Sequence, residues 1–176
     1  MTESDAHESA LIITVPAAEP AVARYRASLD DAAADGVPAH ITVLYPFAPP
    51  AALTDQVRSR LAEVLGQHPA FSFELARVAW FGTQVVWLAP EPAAPFAALT
   101  AAVHAAFPEF PPYGGAYDDA TPHLTVGHDR DLSLLQDAER DIAPRLPISA
   151  RVDSVRLMHG IPGRRWVTHT EFPLLG

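Results

Sequence analysis

Apolar residues recur along the chain with two periods, one near 3.6 and one of 2, and each period marks a different kind of element. Leu11-Ile12-Ile13-Thr14-Val15 is a short β-branched run stopped by Pro16, which predicts a strand. Pro20 suits a first helical position, and Val22, Tyr25 and Leu29 fall at helical spacing until Gly36 and Pro38 end the helix. Ala39 to Leu44 alternates as a second strand. Beyond the loop carrying Pro46, Pro49 and Pro50, the spacing of Leu53, Val57, Leu61 and Val64 or Leu65 predicts an amphipathic helix closed by Gly66. Phe71 to Phe81 and Gln84 to Leu88 predict two strands joined as a hairpin at Gly82-Thr83.

The same order then returns, with Gln84 to Leu88 leading into a second half. Phe96, Leu99, Val103 and Phe107 have helical spacing, and a Pro/Gly-rich loop runs from Pro108 to Asp119. A strand follows over Thr121 to His128. Leu132 to Ile142 is helical by the spacing of Leu135, Ala138 and Ile142, and Ile148 to Met158 with Trp166 to Leu174 predict a closing hairpin around Gly160 to Gly163. The two halves, about 10–88 and 85–175, form one domain (10–176) behind a tail (1–9) read as disordered.

Chemistry enters through two of these strands. Ala39-His40-Ile41-Thr42-Val43 and Pro122-His123-Leu124-Thr125-Val126 share the pattern His-aliphatic-Thr-Val, 83 residues apart. In a strand, alternate side chains share a face, so each copy offers a His/Thr pair on one side and two core-seeking residues on the other. A single His-x-Thr arises by chance roughly half a time in a chain of this composition. Two copies with aliphatic residues at the same two positions, at matching places in two halves, are a different matter. The period is too long for a solenoid, whose units run to about 20–50 residues. A pseudo-twofold relation between halves would set the two motif strands on opposite walls of one cleft.

Two imidazoles facing one substrate suit a reaction in which one group takes a proton while the other gives one, because an ordinary histidine pKa of about 6.5 keeps both forms accessible. Cleavage of a phosphodiester has that requirement. Thr hydroxyls two residues along could donate to phosphate oxygens where charge builds in the transition state.

The double motif, its placement in two halves and the order of elements resemble the two-histidine (2H) phosphoesterase superfamily, which includes bacterial RNA 2′,3′-cyclic phosphodiesterases and 2′-5′ RNA ligases. The resemblance spans about Leu11 to Leu174. It implies a bilobal, pseudo-twofold α+β fold, with two mainly antiparallel sheets flanked by helices around a central cleft. It also implies opening of 2′,3′-cyclic phosphates of RNA ends or small nucleotides without a metal or other cofactor. His40 and His123 are then the catalytic residues, and Thr42 and Thr125 hold the substrate phosphate; which His is acid and which is base is left open. The competing functions are a catalytically silent module of the same fold that binds a nucleotide or RNA end, and a metal-dependent His/Asp hydrolase.

Composition narrows the alternatives. The chain has 176 residues, 49% of them hydrophobic, enough for a proper core. There is no Cys, which removes disulfides, thiolate zinc sites and Cys nucleophiles together. A net charge of −9 argues against a general polyanion binder, though not against one phosphate in a local pocket. All 12 basic residues are Arg. No run approaches the ~20 apolar residues of a membrane span, and Met1 to Ser9 lacks the features of a signal peptide, so a cytoplasmic setting without a membrane or obligate protein partner is expected.

Further candidates are weaker. Trp166, beside Arg164 and Arg165, is suited to stack a base and hold a phosphate; packing in the last strand with solvated Arg is the competing account. Tyr45 follows the first motif and is a candidate for lining the cleft, although core packing is the simpler role for it and for Phe47, and more so for Trp80 and Trp87. His128 with Asp118, Asp119 and Asp129 has metal-capable side chains but no recognised ligand spacing. His68, His104, His159 and His169 have no partner pattern, and His7 lies in the tail.

Overall fold

A computed structural model describes residues 6–116 and 120–176. Eight strands and five α-helices follow in the order β1 (Glu8–Thr14), α1 (Glu19–Leu29), α2 (Asp31–Ala34), β2 (His40–Leu44), α3 (Asp55–Leu65), β3 (Phe71–Phe81), β4 (Val85–Glu91), α4 (Ala94–Ala106), β5 (Leu124–His128), α5 (Leu132–Ile142), β6 (Ile148–Val152), β7 (Ser154–Gly160) and β8 (Val167–Pro173). They build two antiparallel four-stranded sheets, ordered β2-β1-β7-β8 and β5-β4-β3-β6. The α+β, two-sheet architecture is the one the sequence predicts.

Strand ends shift by up to three residues, β4 running on to Glu91 and β5 starting at Leu124, and three differences from that prediction are larger in consequence. Glu8 and Ser9, assigned to the tail of residues 1–9, belong to β1. A partner strand is available that far, with Glu8 opposite Gly160 and Ser9 opposite His159. The fully buried Ser9 is satisfied there: its hydroxyl donates to the Ala48 carbonyl (2.5 Å), and its own carbonyl accepts from the Phe47 N–H (2.9 Å). The first helix is broken at Asp30, whose backbone is extended and whose carboxylate accepts from the Ala32 N–H as the cap of α2.

The third difference reshapes the halves. Ile148 to Met158 is two strands, not one, and they serve different sheets: β6 pairs with β3, and β7 with β1. Val152 and Val155 are both buried in the core although three residues apart, so the period-2 alternation slips at Asp153, where the chain crosses over. The sheets therefore do not coincide with the sequence halves. Each repeat supplies two neighbouring strands to one sheet (β1 and β2, then β4 and β5) and sends a later strand (β3, then β7) into the other. The helices cross in the same way, α1 packing on β5 and α4 on β2. One hydrophobic cluster joins both lobes.

The consequence for the motifs is positional. β2 and β5 are each the edge strand of their own sheet, and the two edges lie against one another. Ile41 and Val43, like Leu124 and Val126, point into the shared core, which leaves His40 and Thr42, and His123 and Thr125, on the opposite faces.

Candidate active site

His40 opens β2, and its orientation is fixed from behind. Its Nδ1 lies 2.8 Å from the Pro38 carbonyl oxygen. A carbonyl can only accept, so Nδ1 carries the proton and Nε2 keeps the lone pair. The segment that supplies this carbonyl is tied down at every residue. The buried Arg26 donates from Nη2 to the Val37 carbonyl (3.1 Å) and from Nε to the Asp30 carboxylate (3.1 Å), while the Ala39 N–H donates to Glu19 Oε1 (2.7 Å).

His123, immediately before β5, repeats the arrangement, with Nδ1 2.7 Å from the Thr121 carbonyl oxygen. Both motif histidines thus hold the same tautomer through the carbonyl two residues upstream. Burial pushes the His40 imidazole down to about 4, outweighing the support its charged form gains from the Pro38 carbonyl; Arg26 and His123 add to the depression and Asp30 opposes it. The influence of His123 on His40 means that the two imidazoles are close enough for one to feel the charge of the other. Burial also lowers His123, against the favourable Thr121 carbonyl. Among the described residues the hydroxyls of Thr42 and Thr125 make no hydrogen bond within the protein.

The walls differ on the two sides. Beside His40 and Thr42 lies a cavity of about 230 Å³, walled mainly by Ile12, Tyr45, Met158 and Trp166. Tyr45 and Trp166 lie 6.2 Å apart between ring centroids, and the Tyr45 hydroxyl donates to Glu8, with burial and that carboxylate together raising its pKa. Trp166 is seated by its N–H, which donates to the Asp35 carbonyl (2.7 Å), and by Gly160, where a Cβ would come within 2.6 Å of the indole. So Trp166 and Tyr45 both line the cavity, and Trp166 is buried as well. Arg164 is exposed on the turn between β7 and β8 and does not line it. Phe47 is core, edge-on to Phe107 and Phe110.

On the opposite side His123 stands edge-on to Phe81 (5.1 Å between centroids) and Trp87 (5.8 Å), which stack on each other at 4.6 Å. Trp87 is buried as predicted, but against His123 rather than in the main core; Val86 and Leu88 on either side of it are the core residues. That alternation was a readable signal, since it sets Trp87 on the face of Thr125, its cross-strand partner. Phe81 carried no comparable signal.

Asp118 and Asp119 lie outside the described residues. Of the other metal-capable groups named above, His128 Nε2 lies 3.1 Å from Asp129 Oδ2, and among the described residues no group of three or more His, Asp or Glu is arranged to hold a metal ion. What the site offers is two unprotonated Nε2 atoms, two uncommitted hydroxyls and aromatic walls.

The fold is shared with known structures. The fold matches a crystal structure described as a phosphoesterase, with TM-score 0.60 and 20% identity over 97% of this chain and 99% of the other. LigT of Escherichia coli in apo form gives TM-score 0.63 and 16% identity over 98% and 99%, and TT0787 of Thermus thermophilus gives 0.64 and 15% over 96% and 98%. LigT has also been solved with 3′-AMP. No curated protein sequence matches the chain. Residues 14–163 match the 2′-5′ RNA ligase superfamily, a span that contains both motif strands, and the chain belongs to that superfamily of two-histidine phosphoesterases.

Proposed function

We propose that the protein is a phosphodiesterase that opens 2′,3′-cyclic phosphates, at RNA ends or on small nucleotides, by proton transfer between His40 and His123. The observation that carries this reading is the matched pair of Nδ1 to carbonyl contacts, at 2.8 and 2.7 Å, on two edge strands that meet. Water attacks phosphorus as one Nε2 removes its proton; the bond from phosphorus to one ribose oxygen breaks, and the other imidazole, as imidazolium, protonates that oxygen. Thr42 and Thr125 donate to the non-bridging oxygens. The product is a phosphomonoester, the class to which the 3′-AMP bound to LigT belongs. Only the singly protonated pair is competent, one imidazole neutral and the other charged.

The test is hydrolysis of nucleoside 2′,3′-cyclic phosphates and of oligonucleotides ending in one, in the presence of a chelator. Turnover by the wild type, and a loss of about 10²–10⁴-fold in both His40→Ala and His123→Ala, is the expected result. Activity retained in either variant overturns the pairing. Tight binding without turnover makes the protein a binding module, and loss of activity with chelator makes it a metal-dependent hydrolase.

A further inference from the structure

Among the described residues two buried side-chain nitrogens have no hydrogen-bond partner, Arg156 Nε and Trp87 Nε1. Both are donors, and both belong to residues on the motif-bearing face of a sheet, one in each lobe. Trp87 is opposite Thr125. Arg156 extends the corresponding row in the other sheet, where Thr42 pairs with Ile12 and Ile12 with Arg156. Its neighbours Val155 and Leu157 point into the core, while Ile12 and Met158 on its own face line the cavity beside His40.

The isolation of Arg156 goes beyond one atom. Among the described residues its guanidinium makes no ion pair and no hydrogen bond. The nearest candidate counterion by register is Glu171, directly across on β8, whose Oε1 accepts the Ser154 hydroxyl at 2.6 Å. A partly buried cation without a partner is costly, and an orphaned buried donor calls for an acceptor that the polypeptide does not supply. In a chain with a net charge of −9, an acidic partner was easy to provide.

We propose that Arg156 is the anchor of a second anion subsite, which takes a phosphate of the substrate other than the one being cleaved. This rests on the reading that Thr42 and Thr125 hold the reacting phosphate. Two strand spacings separate Thr42 from Arg156, about 10 Å. A single phosphate is met by donors ~3 Å from its oxygens, whereas the wider gap suits the next phosphate along a nucleotide. Arg presents paired N–H donors in a fork that fits phosphate. The substrate favoured is thus a terminal nucleotide whose 5′ position is also phosphorylated, as at the end of an RNA strand, over a nucleoside carrying the cyclic phosphate alone.

The experiment uses unreactive product-like probes, so that it does not depend on turnover. Binding of adenosine 3′-monophosphate, adenosine 3′,5′-bisphosphate and a dinucleotide ending in a 3′-phosphate is measured by calorimetry for wild type, Arg156→Gln, Arg156→Lys and His40→Ala. The expected result is an affinity for bisphosphate at least about tenfold above that for monophosphate in the wild type. That ratio approaches one in Arg156→Gln, is partly kept in Arg156→Lys and persists in His40→Ala. An equal gain for the dinucleotide identifies the linkage phosphate of an RNA end, and a gain confined to the bisphosphate identifies a free nucleotide. A wild-type ratio near one, or a ratio unchanged in Arg156→Gln, overturns the subsite while leaving the phosphate cleft intact. Failure of the wild type to bind any of the three removes the phosphate cleft itself, and the subsite with it.

Discussion

At the scale of single residues, the site is governed by how each imidazole is kept neutral. Burial depresses His40 to about 4 and lowers His123 from 6.5, so the free enzyme has its singly protonated pair only on the acid side of neutrality. kcat/KM, which reports the free enzyme, is expected to fall as pH rises toward neutrality, because burial favours the neutral form of both imidazoles. A bound phosphate stabilises the imidazolium, so the same limb of kcat lies at higher pH. A kcat/KM still climbing at pH 8 contradicts a pair of imidazoles biased to the neutral form by burial. The same depression links to stability. Between about 4 and 6.5 the unfolded chain binds more protons at His40 than the fold does. The contribution is complete above about 6.5 and is lost as pH falls toward 4. In thermal unfolding, His40→Gln should therefore gain on the wild type as pH is lowered from 7 to 5, and a Tm difference that ignores pH shows that His40 is not held neutral.

At the scale of elements, the junction of α1 and α2 does more than end a helix. Asp30 leaves the helical backbone, caps α2 and faces Arg26, which in turn holds the Val37 carbonyl one residue before the carbonyl that orients His40. Arg26 and Asp30 are 2% and 8% exposed, so Asp30→Ala strands a buried cation and should cost about 3–5 kcal/mol in urea unfolding. A loss under 1 kcal/mol means water reaches Arg26. The strands themselves were legible, because alternation such as Ile41/Val43 against His40/Thr42 depends on nothing beyond the local sequence. Helix spacing was equally plain, yet the break at Asp30 was not, since Asp at that point serves a tertiary partner. Trp166 illustrates the same limit: core packing and cleft lining looked like alternatives, and burial against Gly160 allows both.

At the scale of the whole molecule, the 83-residue repeat was visible in the sequence, but the exchange of strands between the two sheets was not. Alternation tells a strand which face to bury and says nothing about which sheet it joins; the slip at Asp153 is the one local mark of the crossover. The exchange makes the lobes mutually dependent. β1 needs β7 from the far end of the chain along most of its length, and β3 needs β4 and β6. A half such as residues 1–92 would keep β1 and β2 but lack β7 and β8, and its β3–β4 hairpin would lack both flanking strands. It would expose strand edges and a bisected core, and such a fragment is expected to remain unfolded. The intact chain, by contrast, should lose Trp fluorescence and far-UV circular dichroism in one coincident transition. Two separated transitions, or a folded half-length fragment, would mean that each lobe stands alone and that the cleft is only a docking of two parts. The cooperative outcome instead ties the distance between His40 and His123 to the stability of the entire fold.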